Sequence, residues 1–271
     1  MSGAEAAPML TTLEPGANTL ALLVVMGVAG YFQTVTGFGL GMIIMGAATV
    51  LHLAPVTKLA VLVSLLTLAN SAVALPGKLH HVDWAAVRAA TLGMLPSVVA
   101  GALLLDYLDQ RAADVLQLLL GVAILYGGIG AAWRPAPLAQ RSSDASFFLS
   151  GVLGGLLSGM FGVSGPPLIF QFYRQPLRLA EIRYALILVF TVSSAVRTAY
   201  SMSLGRLDAD LWLQAALTLP VVALTTAAAR RFPPPLSATA TRRLAFAVLV
   251  LIGGGLLAPA LLALLPAHSA R

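Results

Sequence analysis

A glycine-broken apolar stretch, GVAGYFQTVTGFGLG over Gly27–Gly41, returns as GVLGGLLSGMFGVSGP over Gly151–Pro166. Each copy lies inside a hydrophobic run, at the same place in its half of the chain. In a bilayer, backbone that leaves the helical ladder survives only where protein or a water-filled cavity satisfies its polar groups. Transport proteins put substrate at such places. A chain with two of them is drawn toward two related halves around a shared interior site.

The rest of the chain fits a membrane setting. Hydrophobic residues make up 59% of the 271 positions and charged residues only 10%, with a mean hydropathy of +0.91. In soluble domains charged residues supply about a quarter of the chain. Apolar runs able to cross a ~30 Å core fall at roughly 18–52, 57–75, 85–105 and 113–133, then at 147–173, 181–203, 209–229 and 240–264. The chain therefore reads as an all-α integral membrane protein. Its two homologous repeats hold about four transmembrane helices each, and the first segment of each repeat is broken or re-entrant.

This gives an N-terminal tail (1–17), a first repeat (18–133), a linker (134–146), a second repeat (147–264) and a C-terminal tail (265–271). The linker region, WRPAPLAQRSSDAS, is rich in Pro, Ser and charge. The N-terminal stretch carries Glu5 and Glu14 and no basic residue, so it does not read as a cleaved signal. Other landmarks also recur in order: GKLHHVDW (Gly77–Trp84) with GRLDADLW (Gly205–Trp212), and Leu95-Pro96 with Leu219-Pro220. A shared polar loop followed by Trp is not what generic resemblance between membrane helices produces.

The net charge of +6 and pI near 10.2 come from short connections, where the positive-inside rule puts Lys and Arg, so they report topology rather than a nucleic-acid partner. Counting each broken segment as one crossing puts both termini outside the cytoplasmic membrane. Lys58, Arg111, Arg174, Arg178, Arg183, Arg230, Arg231, Arg242 and Arg243 then face inward, with Lys78, Arg88, Arg134, Arg141, Arg206 and Arg271 outward. The first segment is too long for a simple span and also fits a helix plus half-helix or a re-entrant hairpin. One extra crossing per half would make the repeats inverted.

Every Asp and Glu falls at a segment end or in a loop. That argues against a buried-carboxylate cation site or proton relay. Arg197 does lie inside a run, and its natural counter-ion is an anionic substrate, the alternative being a stem that snorkels to the interface. Thr191, Ser194, Thr198 and Ser201 form a polar stripe at helical spacing beside it. Aligning the halves sets Ser64 on Thr191, Thr67 on Ser194, Asn70 on Arg197 and Ser71 on Thr198. A stripe kept in both halves points to the bundle interior, although hydroxyls can also serve as glue between helices.

The glycines at Gly37, Gly39 and Gly41, and the Gly162, Ser164, Gly165 and Pro166 run, should break each helix and start a half-helix whose N-terminus attracts anions. GxxxG-like spacing such as Gly151/Gly155 also allows close helix packing. The candidate substrate ligands are Gly37, Gly39, Gly41, Gly162, Ser164 and Gly165 together with Arg197, Asn70, Ser64, Thr67, Ser194 and Thr198. Because Arg197 lacks a charged twin, ligand is expected nearer the second repeat. His52 is a candidate for a coupling proton. Trp84, Trp133 and Trp212 suit an aromatic belt. No nucleophile elbow, phosphate loop or HExxH appears, and there is no cysteine, so no enzyme, cofactor or metal site is expected.

On the paired motifs TGFGLG and SGMFGVSGPP and the GKL/GRL loop, the chain resembles the TauE/SafE family of sulfite exporters from about residue 20 to 260. The resemblance implies a multi-spanning transporter of sulfite, organosulfonates or related anions in the cytoplasmic membrane. Phe38, Leu40, Val163 and Ser164 interrupt glycines that commonly run together in the family, which leaves the anion open. Another small organic anion, such as a carboxylate, or a membrane scaffold are the competing readings.

Overall fold

The computed structural model describes residues 15–51, 54–109, 113–132 and 138–232, with scattered helical positions between 240 and 257. Among the described residues the elements are α1 (Pro15–Thr36), α2 (Leu40–Val50), α3 (Val56–Ala74), α4 (Trp84–Asp109), α5 (Ala113–Ala132), α6 (Asp144–Phe161), α7 (Gly165–Tyr173), α8 (Leu179–Ser203) and α9 (Ala209–Arg231), with a short 3-10 turn at Leu79–His81. No strand occurs among them. Five helices are long and apolar enough to cross a membrane: α3, α4, α6, α8 and α9. Residues 1–14 of the N-terminal tail, the C-terminal tail, His52, Arg111, Trp133, Arg134, Arg242, Arg243 and most of the run at 240–264 lie outside the described residues.

Both glycine-broken segments do break, each over three residues. Gly37, Phe38 and Gly39 separate α1 from α2, while Gly162, Val163 and Ser164 separate α6 from α7. Gly37 and Gly39 have φ of 89° and 106° and Gly162 has φ of 68°, a left-handed region that residues with a Cβ enter only at a cost. The Thr36 hydroxyl clasps the first break, its one hydrogen within reach of both the Phe32 and Phe38 carbonyls at 2.9 and 2.8 Å. Phe38 packs edge-on against Phe32 and Tyr173, and the Tyr173 hydroxyl donates to the Thr36 carbonyl at 3.0 Å. The end of α7 thus closes the break of the other half.

The breaks reverse the chain instead of carrying it across. Lys58, at the start of α3, lies 3.7 and 3.6 Å from Asp208 and Asp210 at the start of α9, so these helix starts share one face. Asp106, near the end of α4, pairs with Arg206 on that same face at 2.6 Å. On the opposite face, before α6, Arg141 pairs with Asp83 at 3.0 Å, and Gln175, after α7, donates to Ser142 at 2.9 Å. The α6–α7 segment therefore enters from and returns to the Asp83 face.

The α1–α2 segment does the converse. α1 runs beside α9: side chains of Val221 and Thr225 pack at Gly27, and the Tyr31 hydroxyl donates to the Phe232 carbonyl at 2.9 Å. Its break lies by Arg183 at the start of α8, and α2 brings the chain back to the Lys58 face.

This corrects the count of one crossing per broken segment. Glycine at the breaks lets the backbone double back, so the segments are two hairpins entering from opposite faces. Lys58 accordingly moves to the Arg206 face. Lys78, Arg88 and Arg141 join Arg174, Arg178, Arg183, Arg230 and Arg231 on the other.

The second hairpin is fixed by glycine. Cβ atoms added at Gly151 or Gly159 would run into the carbonyls of Ala90 or Val98 on α4, and one at Gly155 would lie 2.8 Å from the Met94 carbonyl. Small residues at four-residue spacing let two backbones touch, which in lipid supplies dispersion contact that the hydrophobic effect does not. The Gly151/Gly155 spacing is therefore used for packing.

Candidate functional site

The hairpin tips meet. A Cβ at Gly41, in the first turn of α2, would lie 2.7 Å from the Gly162 carbonyl oxygen and 3.3 Å from Val163 of the opposite break. Between them is a cavity of about 20 Å³, lined by Gln33, Gly39, Gly41, Met42, Thr67, Gly162, Val163, Ser164, Gly165, Phe190 and Ser194. It sits near the middle of α3 and α8, through Thr67 and Ser194. That volume has room for about one water.

Seven of the sequence-derived candidates thus share one cavity: Gly39, Gly41, Gly162, Ser164, Gly165, Thr67 and Ser194. Gly37 is instead covered by Arg183. Ser64 donates to the Ala60 carbonyl at 2.9 Å, and Thr198 is buried with no partner for its hydroxyl. Neither lines the cavity.

The donors differ from those the residue types suggest. The Thr67 hydroxyl is spent on the Val63 carbonyl at 2.8 Å. Ser193 donates to the Phe190 carbonyl at 2.9 Å, and because a hydroxyl has one hydrogen, Ser164 must donate to Ser193 across their 2.9 Å contact. What faces the cavity is largely backbone. Gly39 stands at the N-cap of α2 with no side-chain cap, leaving the Gly41 and Met42 N–H groups, which have no helical carbonyl behind them. In α7 the two residues after Gly165 are Pro166 and Pro167, which carry no N–H, so that half-helix presents chiefly the Gly165 N–H. The prolines shift donor strength toward the first hairpin.

Asn70, read as a substrate ligand, is fully occupied. The two hydrogens of its amide nitrogen are shared among the Thr34 hydroxyl at 2.9 Å, the Thr226 hydroxyl at 2.7 Å and the Gly30 carbonyl at 3.3 Å. Its oxygen accepts from Gln33 at 3.0 Å. Asn70 ties α3 to α1 and α9 and reaches the cavity only through Gln33.

Arg197 is 2% exposed, so it does not snorkel. Its Nη1 donates to the Ser158 carbonyl at 3.1 Å, just before the second break, and Nε has no partner. It stands one helical turn beyond Ser194, outside the cavity wall. Asp106, the acid in its electrostatic environment, is engaged at 2.6 and 2.8 Å by Arg206 and at 3.3 Å by Tyr200. The Asp106–Arg206 charges offset each other, so Arg197 supplies the local positive excess.

Sequence reasoning missed Gln33, Met42, Val163 and Phe190 as wall residues. An amide in mid-run, shortly before TGFG, was the available signal for Gln33. The hydrophobic three carry no sequence mark that separates a cavity wall from core. Among the described residues no group of three His, Asp or Glu could hold a metal.

The model of the family described as sulfite exporter TauE/SafE matches residues 22–256. This chain belongs to the TauE/SafE family. A Cupriavidus necator protein named probable sulfite/organosulfonate exporter TauE is 64% identical over 242 residues, covering 89% of this chain and 94% of its own length. A Comamonas testosteroni protein named probable inner membrane transporter protein TsaS is 31% identical over 187 residues, covering 65% of this chain and 72% of its own. No solved structure matches. As a TauE/SafE member the chain is a multi-pass membrane transporter and not an enzyme.

Proposed function

We propose that this transporter moves sulfite or small organosulfonates, such as sulfoacetate, isethionate or taurine, out across the cytoplasmic membrane by alternating access, with the cavity between the hairpin tips as its substrate site. The name of the Cupriavidus necator relative supports that substrate class and an outward direction, and that of the Comamonas testosteroni relative supports the inner membrane. The observation that carries the reading is the meeting of the first turns of α2 and α7 at one cavity, with no acidic side chain in its wall and with Arg197 one turn away. Uncapped N–H groups and the positive end of a helix dipole hold an oxyanion without a charged ligand.

A sulfonate does not fit in about 20 Å³, so binding requires the tips to separate. Hairpins anchored on opposite faces suit this. Moving one opens a path to one side while the other keeps the site closed, the rocking motion that repeats of opposite orientation allow. The charge pattern supports placing the Asp83 face in the cytoplasm, since eight described Lys and Arg lie there (Lys78, Arg88, Arg141, Arg174, Arg178, Arg183, Arg230, Arg231) against Lys58 and Arg206 opposite. The start of α1 then lies outside, and an outer C-terminus is proposed with it. A coupling proton or ion remains part of the proposal, carried by the substrate's own titration or by a residue such as His52.

The test is sulfite flux in proteoliposomes. Protein-dependent release of internal sulfite, competed by isethionate or sulfoacetate, is expected. Flux no faster than from empty vesicles would overturn the assignment.

A further inference from the structure

The two halves can be compared position by position, and one of their differences at the cavity, beside the prolines of α7, concerns an acceptor oxygen. Break aligns with break: Gly37 with Gly162, Gly39 with Ser164, and Leu40 with Gly165, the first residues of the two half-helices. The same alignment sets Gln33 on Ser158. One helix on, Asn70 is the twin of Arg197.

In the first half, the Gln33 Oε1 accepts the Leu40 N–H at 3.1 Å, while Nε2 donates to the Asn70 Oδ1 at 3.0 Å. Asn70 is in turn pinned by α1 and α9. The carboxamide is thus 2% exposed, locked in orientation, and part of the cavity wall. In the second half, Ser158 is too short to reach around the break. Only its backbone carbonyl is engaged, by Arg197. The Gly165 N–H keeps no protein acceptor among the described residues.

A protein oxygen therefore sits on the first N–H of one half-helix, at the twin of the place left open on the other. An acceptor oxygen aimed at a helix N-terminus is what an anionic head group would provide. We infer that Gln33 is a specificity-determining residue: its carboxamide occupies one of two equivalent oxyanion positions, so among the organosulfonates proposed above the site favours those with one anionic head group, isethionate and taurine, over sulfoacetate and other small anions with two. A second head group brought to Leu40 would have to displace Gln33. The oxyanion would take over the Leu40 N–H but leave the displaced Gln33 carboxamide and the Asn70 Oδ1 without their partners, and unmade buried hydrogen bonds are what make such discrimination strong. This rests on the cavity being the substrate site, as proposed above.

The experiment compares wild type with Gln33→Ser, which installs the residue of the other half. Calorimetric titrations of purified protein use sulfite and isethionate as one-headed anions, and methanedisulfonate and sulfoacetate as two-headed ones. Wild type should prefer the one-headed pair. Gln33→Ser should lower the ratio of two-headed to one-headed dissociation constants at least tenfold. Gln33→Asn, one methylene shorter, keeps an amide near Asn70 while withdrawing the oxygen from Leu40, and should shift the ratio the same way if the Ser variant does not fold. An unchanged ratio in folded variants that still bind sulfite overturns the role of Gln33 and leaves the transport assignment standing. No binding of any anion by wild type overturns the site itself.

Discussion

Gly41→Ala adds a single methyl group at the point where the two hairpins touch. Its Cβ would lie 2.7 Å from the Gly162 carbonyl oxygen, 3.2 Å from Val63 and 3.3 Å from Val163. The first contact is several tenths of an ångström too short, and the atom that must yield is backbone, held by the Gly162 N–H to Ser158 carbonyl bond at 2.8 Å. Overpacking of this kind costs about 1–3 kcal/mol. The methyl also projects into a cavity of about 20 Å³, beside the N–H groups proposed to hold the oxyanion. A hundredfold loss of sulfite affinity, about 2.7 kcal/mol, is the expected outcome. Isothermal calorimetry on purified protein, with thermal unfolding alongside, separates lost binding from lost fold. Gly254→Ala is the control, since nothing lies within 4 Å of that position. Wild-type sulfite affinity in folded Gly41→Ala would refute the placement of the site.

Arg197→Gln keeps an N–H donor for the Ser158 carbonyl but removes the charge, so sulfite affinity should fall about tenfold or more, near 1.4 kcal/mol, with the melting temperature little changed; Arg197→Lys should lose less, and equal affinity in all three proteins would exclude an electrostatic role. Asn70→Ala deletes four buried hydrogen bonds and should destabilise by roughly 3 kcal/mol or more, at about 1 kcal/mol per bond, read as an earlier thermal transition; a transition at the wild-type temperature would contradict the structural role given to Asn70. Gly159→Leu forces α4 and α6 apart at Val98 and should yield aggregated protein on size exclusion, whereas a monodisperse, sulfite-binding variant would show that their close contact is dispensable.

Much of the fold was legible because lipid allows few answers. Span-length apolar runs had to be helices, and the glycines at Gly37, Gly39 and Gly162 had to be breaks. What happens after a break was not legible. Doubling back and crossing on use the same residues, and the difference lies in long-range pairs such as Lys58 with Asp208 or Arg141 with Asp83, which spacing along the chain cannot show. The candidate site divided the same way. Gly41, Thr67 and Ser194 come together because they share helix faces set by periodicity. Asn70 and Arg197 were read from residue type and from their matched places on the two polar stripes, and neither says whether a buried amide or guanidinium meets ligand or protein. Asn70 meets Gln33, Thr34, Thr226 and Gly30. The Pro166-Pro167 pair was read as a helix breaker, but its larger consequence is the loss of two N–H donors from α7.

The central claim, that an oxyanion is held between the hairpin tips by backbone of α2 and α7, is tested most directly by anomalous diffraction from crystals grown with selenite, a heavier analogue of sulfite. One selenium peak is expected between the tips, its oxygens within hydrogen-bond distance of the Gly41, Met42 and Gly165 N–H groups. A peak only in the outer charged pocket of Lys58, Asp106 and Arg206, or none at saturating selenite, would contradict it.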